Sequence, residues 1–394
     1  MQTIDIPAEV TTDQIDTQTN GTLAMSAVRF RIPGDLIHRA TAELPDDQRE
    51  TLRWLAGYCR VKNLGRDDIG TLIRKPGTTD CYSYDQFYQV VTGRRTAAGV
   101  NIDPFCEAAS AFRRIIEDRE SQTTSGFIQT RLYDIISTRA RRCLLRRKIG
   151  WIFGDSQIGK SACAREYQRQ HNHGETIYVE VPTGGGLGPF LSELAISLGI
   201  PTQQKNTELR RRIIDSFDDR MLLIIDEAHR CLQCKSGTRG LDTLDFLREL
   251  WNRKQCGMLI MMTNDGRDQL LRGKHKKSLE QLWRRRLQPL QLPSVPFGDD
   301  MDRFAAAYGL PPAPADTVTI RIPTLDADGN DKTITHRDSP ARLQNSVVTE
   351  EGLGVWLTIL QDASDTAREQ SRSITWGAVI KSHALAQADA ETAY

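Results

Sequence analysis

Residues 154–161 read Gly-Asp-Ser-Gln-Ile-Gly-Lys-Ser, a complete G-x-x-x-x-G-K-[ST] pattern. Glycine at both of its fixed positions lets the backbone turn where a side chain would obstruct, so the loop amides can converge on phosphate oxygens. The expected nucleotide-binding residues are Gly154, Asp155, Ser156, Gln157, Ile158, Gly159, Lys160, Ser161 and Ala162. Lys160 is suited to neutralising β- and γ-phosphates, and Ser161 to holding a magnesium ion. Downstream, Met221-Leu-Leu-Ile-Ile-Asp-Glu227 is an apolar run ending in two acids. Asp226 is expected to assist the magnesium, and Glu227 to orient and deprotonate an attacking water. A third apolar run, Leu259–Met262, ends in Thr263-Asn264, and Asn264 can hydrogen-bond a γ-phosphate or the lytic water. Glu280-Gln-Leu-Trp-Arg-Arg-Arg286 then gathers three guanidinium groups, of which Arg285 is favoured to reach the γ-phosphate of a neighbouring subunit. Blander readings of these residues are a helix-capping acid pair, a turn asparagine and a solvated or DNA-facing basic patch.

These residues need a scaffold that aims them at one place. Ile149–Phe153, Thr176–Val181, Met221–Ile225, Leu259–Met262 and Leu287–Leu292 read as buried strands. A helix is expected from Lys160, and amphipathic helices carry Phe190, Leu191, Leu194, Ala195 and Leu198, then Leu244, Phe246, Leu247, Leu250 and Trp251. Alternating strands and helices imply an α/β fold, a parallel sheet with helices on both faces. An acid at the C-terminal end of such a strand faces the ligand crevice. Pro182-Thr-Gly-Gly-Gly-Leu-Gly188 lacks a lysine and reads as a flexible loop rather than a second phosphate site.

At 394 residues the chain has room for two to three domains. Its net charge of +1 gives no global argument for nucleic acid, but charge is unevenly spread. Residues 1–28 hold four acids and no Lys or Arg, and read as an acidic tail. Residues 29–106 read as a helix-turn-helix-like domain. Leu52, Leu55, Ala56 and Cys59 form an apolar stripe, and a short helix is expected over Arg66–Ile73. Ser83 would cap a third helix that buries Phe87, Val90 and Val91 and presents Tyr84, Gln86, Gln89, Arg94 and Arg95 to a DNA groove. A plain three-helix module has the same apolar pattern. Residues 107–293 form the nucleotide-binding unit with a basic helix before its first strand, where Arg142 and Arg146 are candidate contacts to the DNA backbone; a solvated helix face is equally compatible. Residues 294–394 read as a helical lid with a β-hairpin insertion over 318–336 and helices near 350–369 and 374–388.

The eight cysteines are scattered, as reduced thiols of the cytoplasm would be. His229, Cys231 and Cys234, with Cys256, approach a zinc pattern but read better as packing residues. No cationic leader or long apolar run suggests secretion or a membrane span.

Taken together, Phe127-Ile-Gln-Thr-Arg131, the loop 154–161, Asp226-Glu-Ala-His229, Thr263-Asn264 and Gln281-Leu-Trp-Arg-Arg285 resemble the AAA+ ATPases, and within them the transposition target-selection ATPases of the TnsC, TniB and MuB type. The resemblance covers roughly Phe127 to Leu292. It implies ATP and Mg2+ as cofactors, a helical lid, homo-oligomeric rings or filaments on duplex DNA, and a transposase or other recombination protein as partner. It also implies a Gly-x-x-Arg sensor in the lid, which this chain lacks: the matching stretch reads Glu351-Gly-Leu-Gly-Val-Trp356, and Arg342 is a poor substitute. Helicase loaders and replication initiators share the same engine. A nucleotide-switched helix-turn-helix transcription regulator is the alternative from another class.

Overall fold

The computed structural model describes residues 29–122, 127–171, 176–232, 239–272, 276–325 and 331–392. At its centre lie five strands, β1 Ile149–Phe153, β2 Thr176–Glu180, β3 Leu222–Asp226, β4 Gly257–Met262 and β5 Leu290–Gln291, in the order β2-β3-β4-β1-β5. All pairings are parallel. β1, β3 and β4 are buried along their whole length, which is why their sequences are continuous apolar runs rather than alternating ones. β5 is shorter than the expected strand over 287–292; Pro289 has no N–H to give to a ladder, and pairing resumes only at Leu290. The acidic tail, residues 1–28, lies outside the described residues.

Helices cover both faces. Leu187–Ser197, Asn206–Asp215 and Arg239–Lys254 share one core with the sheet. Arg131–Arg146 and Lys160–Gln170 pack on the other face. The Arg131–Arg146 helix lies unusually close to the sheet. A β-carbon on Gly257 would stand 2.7 Å from Leu144 Cα, and one on Gly150 would stand 2.4 Å from Cys143 Sγ. The basic side chains of this helix are thereby turned outward, with Arg141, Arg142 and Arg146 exposed.

Before this unit, residues 29–122 build a helical domain around Phe30, Leu52, Trp54, Leu55, Phe87 and Phe105. The Asp103–Gln122 helix crosses the expected boundary at 106, and its Phe105, Ala109 and Phe112 join this core. The short helix stops at Gly70 rather than Ile73. From there to the next helix, Tyr84–Val91, the chain runs through a bridge between Arg74 and Cys81. That connection is far longer than the three or four residues of a tight helix-turn-helix, so the expected tight motif is corrected to two helices joined by a looped segment, packed together with Arg66 paired to Asp85 at 3.2 Å.

This domain is anchored to the nucleotide-binding unit by charge. Arg212 pairs with Asp35 at 2.8 Å, Arg220 with Asp46 at 2.5 Å, and Arg53 with Asp218. After β5, helices Gly298–Ala307, Pro340–Glu350, Leu353–Glu369 and Trp376–Thr392 form the lid around Trp356, with the antiparallel hairpin β6 Val318–Leu325 and β7 Asp331–Asp338 inserted as expected. Among the described residues no helix is long and apolar enough to cross a membrane, and Cys59, Cys81, Cys106, Cys143, Cys163 and Cys256 are free thiols.

Candidate nucleotide site and nucleic-acid surfaces

β1 delivers the chain to Gly154, the loop turns, and Gly159 at φ +95 starts the Lys160–Gln170 helix. Gly154 N–H donates to Met262 O at 3.3 Å, which places the end of β4 directly beside the loop. Lys160 is buried, and its Nζ donates to Gly154 O at 2.9 Å and Asp155 O at 2.5 Å. Burial lowers its pKa below that of a free lysine, opposed by Asp226, Glu227 and Asp155. The positive end of the following helix and this ammonium face the same loop, an arrangement built for an anion.

The acids stand where β3 ends. Asp226 is 1% exposed. Its Oδ2 accepts from Tyr178 Oη at 2.9 Å and its Oδ1 from the Glu227 amide at 2.8 Å. Tyr178 sits across the sheet on β2, at the register Tyr178–Ile224, and burial together with Asp226 raises its phenol pKa. Glu227 is partly exposed and holds φ +53, a left-handed conformation uncommon outside glycine. Arg230 lies 3.5 Å from its carboxylate and at 2.9 Å from Glu180, while His229 Nε2 is 3.6 Å from Glu227. Burial lowers the His229 pKa.

Asn264 is part of the same cluster. Its Nδ2 donates to Asp155 Oδ1, and its Oδ1 accepts from Gln291 Nε2 at 2.7 Å. The polar side chain after β4 thus ties the phosphate loop to the end of β5. Lys160, Ser161, Asp226, Glu227 and Asn264 are brought together at the C-terminal edge of the sheet.

Arg285 is not. It lies at the opposite edge, where Arg286 bridges to Ile149 at the start of β1. Its guanidinium sits 5.4 Å from the Trp251 ring centroid and donates to Gln281 O, while Arg284 pairs with Glu280 at 2.7 Å and Arg286 stacks on Trp283. It therefore faces away from its own chain's phosphate loop.

In the helical domain, Gln86 accepts from the Ser83 amide at 3.0 Å while Ser83 caps the Gln86 amide, so Gln86 is committed to a capping box. Gly93 at φ +73 ends the helix, and Arg94 and Arg95 occupy a separate turn, Arg94–Ala97, instead of extending the row begun by Tyr84. Arg94 lies over Tyr88 and Arg66 over Tyr84, and with Gln89 and Arg29 they line one open cleft of about 770 Å³. Of the zinc pattern, Cys234 lies outside the described residues, and among those described no three ligating side chains converge.

Sequence reasoning missed Tyr178, Glu180 and Arg230, because nothing local marks a β2 side chain as a partner of the acids on β3. The Asp155–Asn264 bond had a faint signal: both flank apolar runs that become neighbouring strands.

Comparison with known proteins agrees with this geometry. A family model described as an AAA domain matches residues 140–271. Two curated relatives, the ATP-dependent target DNA activators B of Escherichia phage Mu and Escherichia phage D108, are each 29% identical over 140 residues, 34% of this chain and 41% of theirs. The chain thus matches less than half the length of these relatives. Among solved structures, the Walker-type ATPase PABY2304 of Pyrococcus abyssi is similar with a TM-score of 0.41 at 14% identity, covering 66% of this chain and 73% of that one. Sheet order, phosphate loop and domain match define a P-loop AAA+ α/β fold. Within that class, the chain is similar to the phage ATP-dependent target DNA activators B over 140 residues.

Proposed function

We propose that this chain is an ATP-dependent DNA-binding regulator that oligomerises on duplex DNA and recruits or activates a transposase at the target site. The observation that carries the reading is the convergence of Lys160, Ser161, Asp226, Glu227 and Asn264 at one sheet edge, within the segment matched by the AAA domain model, in a chain similar over 140 residues to the phage target DNA activators.

The donor set suits a nucleotide with magnesium. A serine hydroxyl and a buried carboxylate are hard oxygen ligands of the kind Mg2+ takes, and the lysine now resting on loop carbonyls is free to turn to phosphate. Ser161 and Asp226 would hold the ion, which when bound neutralises charge on the phosphate oxygens. Lys160 and the loop amides bind and orient the phosphates. Glu227 takes the proton of the attacking water, with Arg230 and His229 fixing its direction. Asn264 holds the loop to its neighbour strands. Arg285, turned away from its own loop, serves a neighbouring subunit in this reading, which makes hydrolysis a property of the assembly.

DNA contacts are assigned to two basic surfaces. Tyr84, Gln89 and Arg94 line the cleft of the helical domain, with Arg95 on the same Arg94–Ala97 turn, and Arg142 and Arg146 project from the helix before β1. Gln86 acts as a cap within the first.

Negative-stain imaging on duplex DNA, with and without ATP or a slowly hydrolysed analogue, tests the proposal. Nucleotide-dependent rings or filaments are expected. Isolated dimers at discrete sites, indifferent to nucleotide, would sink it and favour the switched-regulator alternative.

A further inference from the structure

The lid meets the phosphate loop closely at Gly352. Gly352 precedes the Leu353–Glu369 helix at φ +97, and a β-carbon there would stand 2.1 Å from Gln157 Oε1 and 2.8 Å from Gln157 Cβ. Gln157 itself is left-handed, at φ +66. The neighbouring residues extend the contact. A β-carbon on Gly159 would lie 3.7 Å from Leu353 Cδ2 of the lid and 3.6 Å from Leu132 Cδ2. Leu132 opens the Arg131–Arg146 helix, whose Arg131 and Leu132 amides both donate to the buried Asp300 of the lid's first helix. Arg131 also lies over the Phe297 ring, at 4.6 Å. The glycine that starts the phosphate-loop helix is thus flanked by one leucine from the lid and one from a helix that the lid caps.

The atoms nearest Gly352 all belong to Gln157, which carries no charge. Val355 fills the fourth position of Gly352-Leu-Gly-Val, and Arg342 is paired with Asp338 at 2.8 Å. Lys160 donates to the Gly154 and Asp155 carbonyls within the same loop. A phosphate that captures this ammonium breaks those two bonds, in the same loop whose Gln157 and Gly159 carry the contacts to Gly352 and Leu353.

We infer that the lid reads the conformation of the phosphate loop, through packing of Gly352 and Leu353 on Gln157 and Gly159, and not the charge of a terminal phosphate. Gly352 and Leu353 are positioning residues in this scheme. The inference rests on the nucleotide reading of the loop. It has a consequence that a γ-phosphate sensor would not have: ADP and ATP both occupy the loop, so both move the lid alike. The ATP-specific signal is then left to the subunit interface.

Hydrogen–deuterium exchange on the full chain with Mg2+ tests this, comparing no nucleotide, ADP and a non-hydrolysable ATP analogue. Peptides covering 129–133 and 352–360 should change exchange rate by about threefold or more, equally with both nucleotides. In Leu353→Ala and in Gly352→Ala the loop peptide 154–162 should still respond, with nucleotide Kd within about threefold of the parent, while the 352–360 response is lost. Leu353→Ala removes the contact without backbone strain, Gly352→Ala forces the surfaces apart, and unchanged exchange in β1 and β3 shows that each variant is folded. A lid that answers the ATP analogue alone overturns the inference, as does an intact lid response in both variants. Absence of any response at 154–162 overturns the nucleotide site itself, and so separates the two failures.

Discussion

At the scale of single residues, the site divides into groups that were legible in the sequence and groups that position them. Lys160, Ser161, Asp226 and Glu227 sit in contiguous motifs, so their spacing reports their geometry directly. Glu227→Gln should retain ATP binding and cut hydrolysis by at least ~100-fold, the usual scale of general-base catalysis, leaving long-lived DNA complexes. Single-turnover phosphate release checks the rate, and rapid dissociation from DNA would contradict the assignment. Tyr178 was not legible, because its role depends on β2 lying beside β3. Tyr178→Phe removes one hydrogen bond to Asp226 and should lower hydrolysis by about fivefold, ~1 kcal/mol, with a higher Mg2+ requirement. A magnesium titration unchanged from the parent would show that the phenol does not position this acid.

At the scale of elements, apolar runs placed the strands and the core helices well, because buried parallel strands and amphipathic helices write their burial into composition. Connections were read less well. The gap between Gly70 and Tyr84 and the break at Gly93 turned an expected recognition helix into a cleft, since a left-handed glycine is invisible to periodicity. The Gly298–Ala307 and Pro340–Glu350 helices went unread because their burial is shared among lid elements rather than written as a long stripe. Domain docking was equally silent. His38 lies in the interface with Arg53, Arg60, Leu198 and Met221 around a small cavity of about 20 Å³. Burial, then Arg53 and Arg60, hold its pKa well below 6.5. The unfolded chain therefore binds a proton near pH 6.5 that the folded chain refuses, and stability falls as pH drops below that value. The limit for one such site is about 1.4 kcal/mol per pH unit. Thermal melts between pH 7.5 and 5.5 should show this slope in the parent and a shallower one in His38→Gln; equal slopes would mean that His38 does not report on docking.

At the scale of the whole molecule, a net charge of +1 conceals local basic surfaces, so overall composition does not report the surface on which the proposed DNA contacts rest. Arg142 and Arg146 stand exposed on the outer face of one helix. Replacing both with alanine should weaken DNA binding at every sequence tested and reduce the slope of log affinity against log salt by about 2. An unchanged slope would return this helix face to solvent. The same helix, 16 residues long, spans about 24 Å. Its first turn touches Gly159 and is capped by Asp300, and its last turn lies against Gly257 with no room for even a methyl group between them. A rod seated so tightly cannot yield at one end without displacing the other. For the proposed DNA-bound assembly, thermodynamic reciprocity sets a condition: any factor by which nucleotide tightens DNA must equal the factor by which DNA tightens nucleotide. On that proposal, bound DNA would act as a reservoir that raises the nucleotide occupancy of the subunits along it, and assembly would stabilise the state from which further assembly grows.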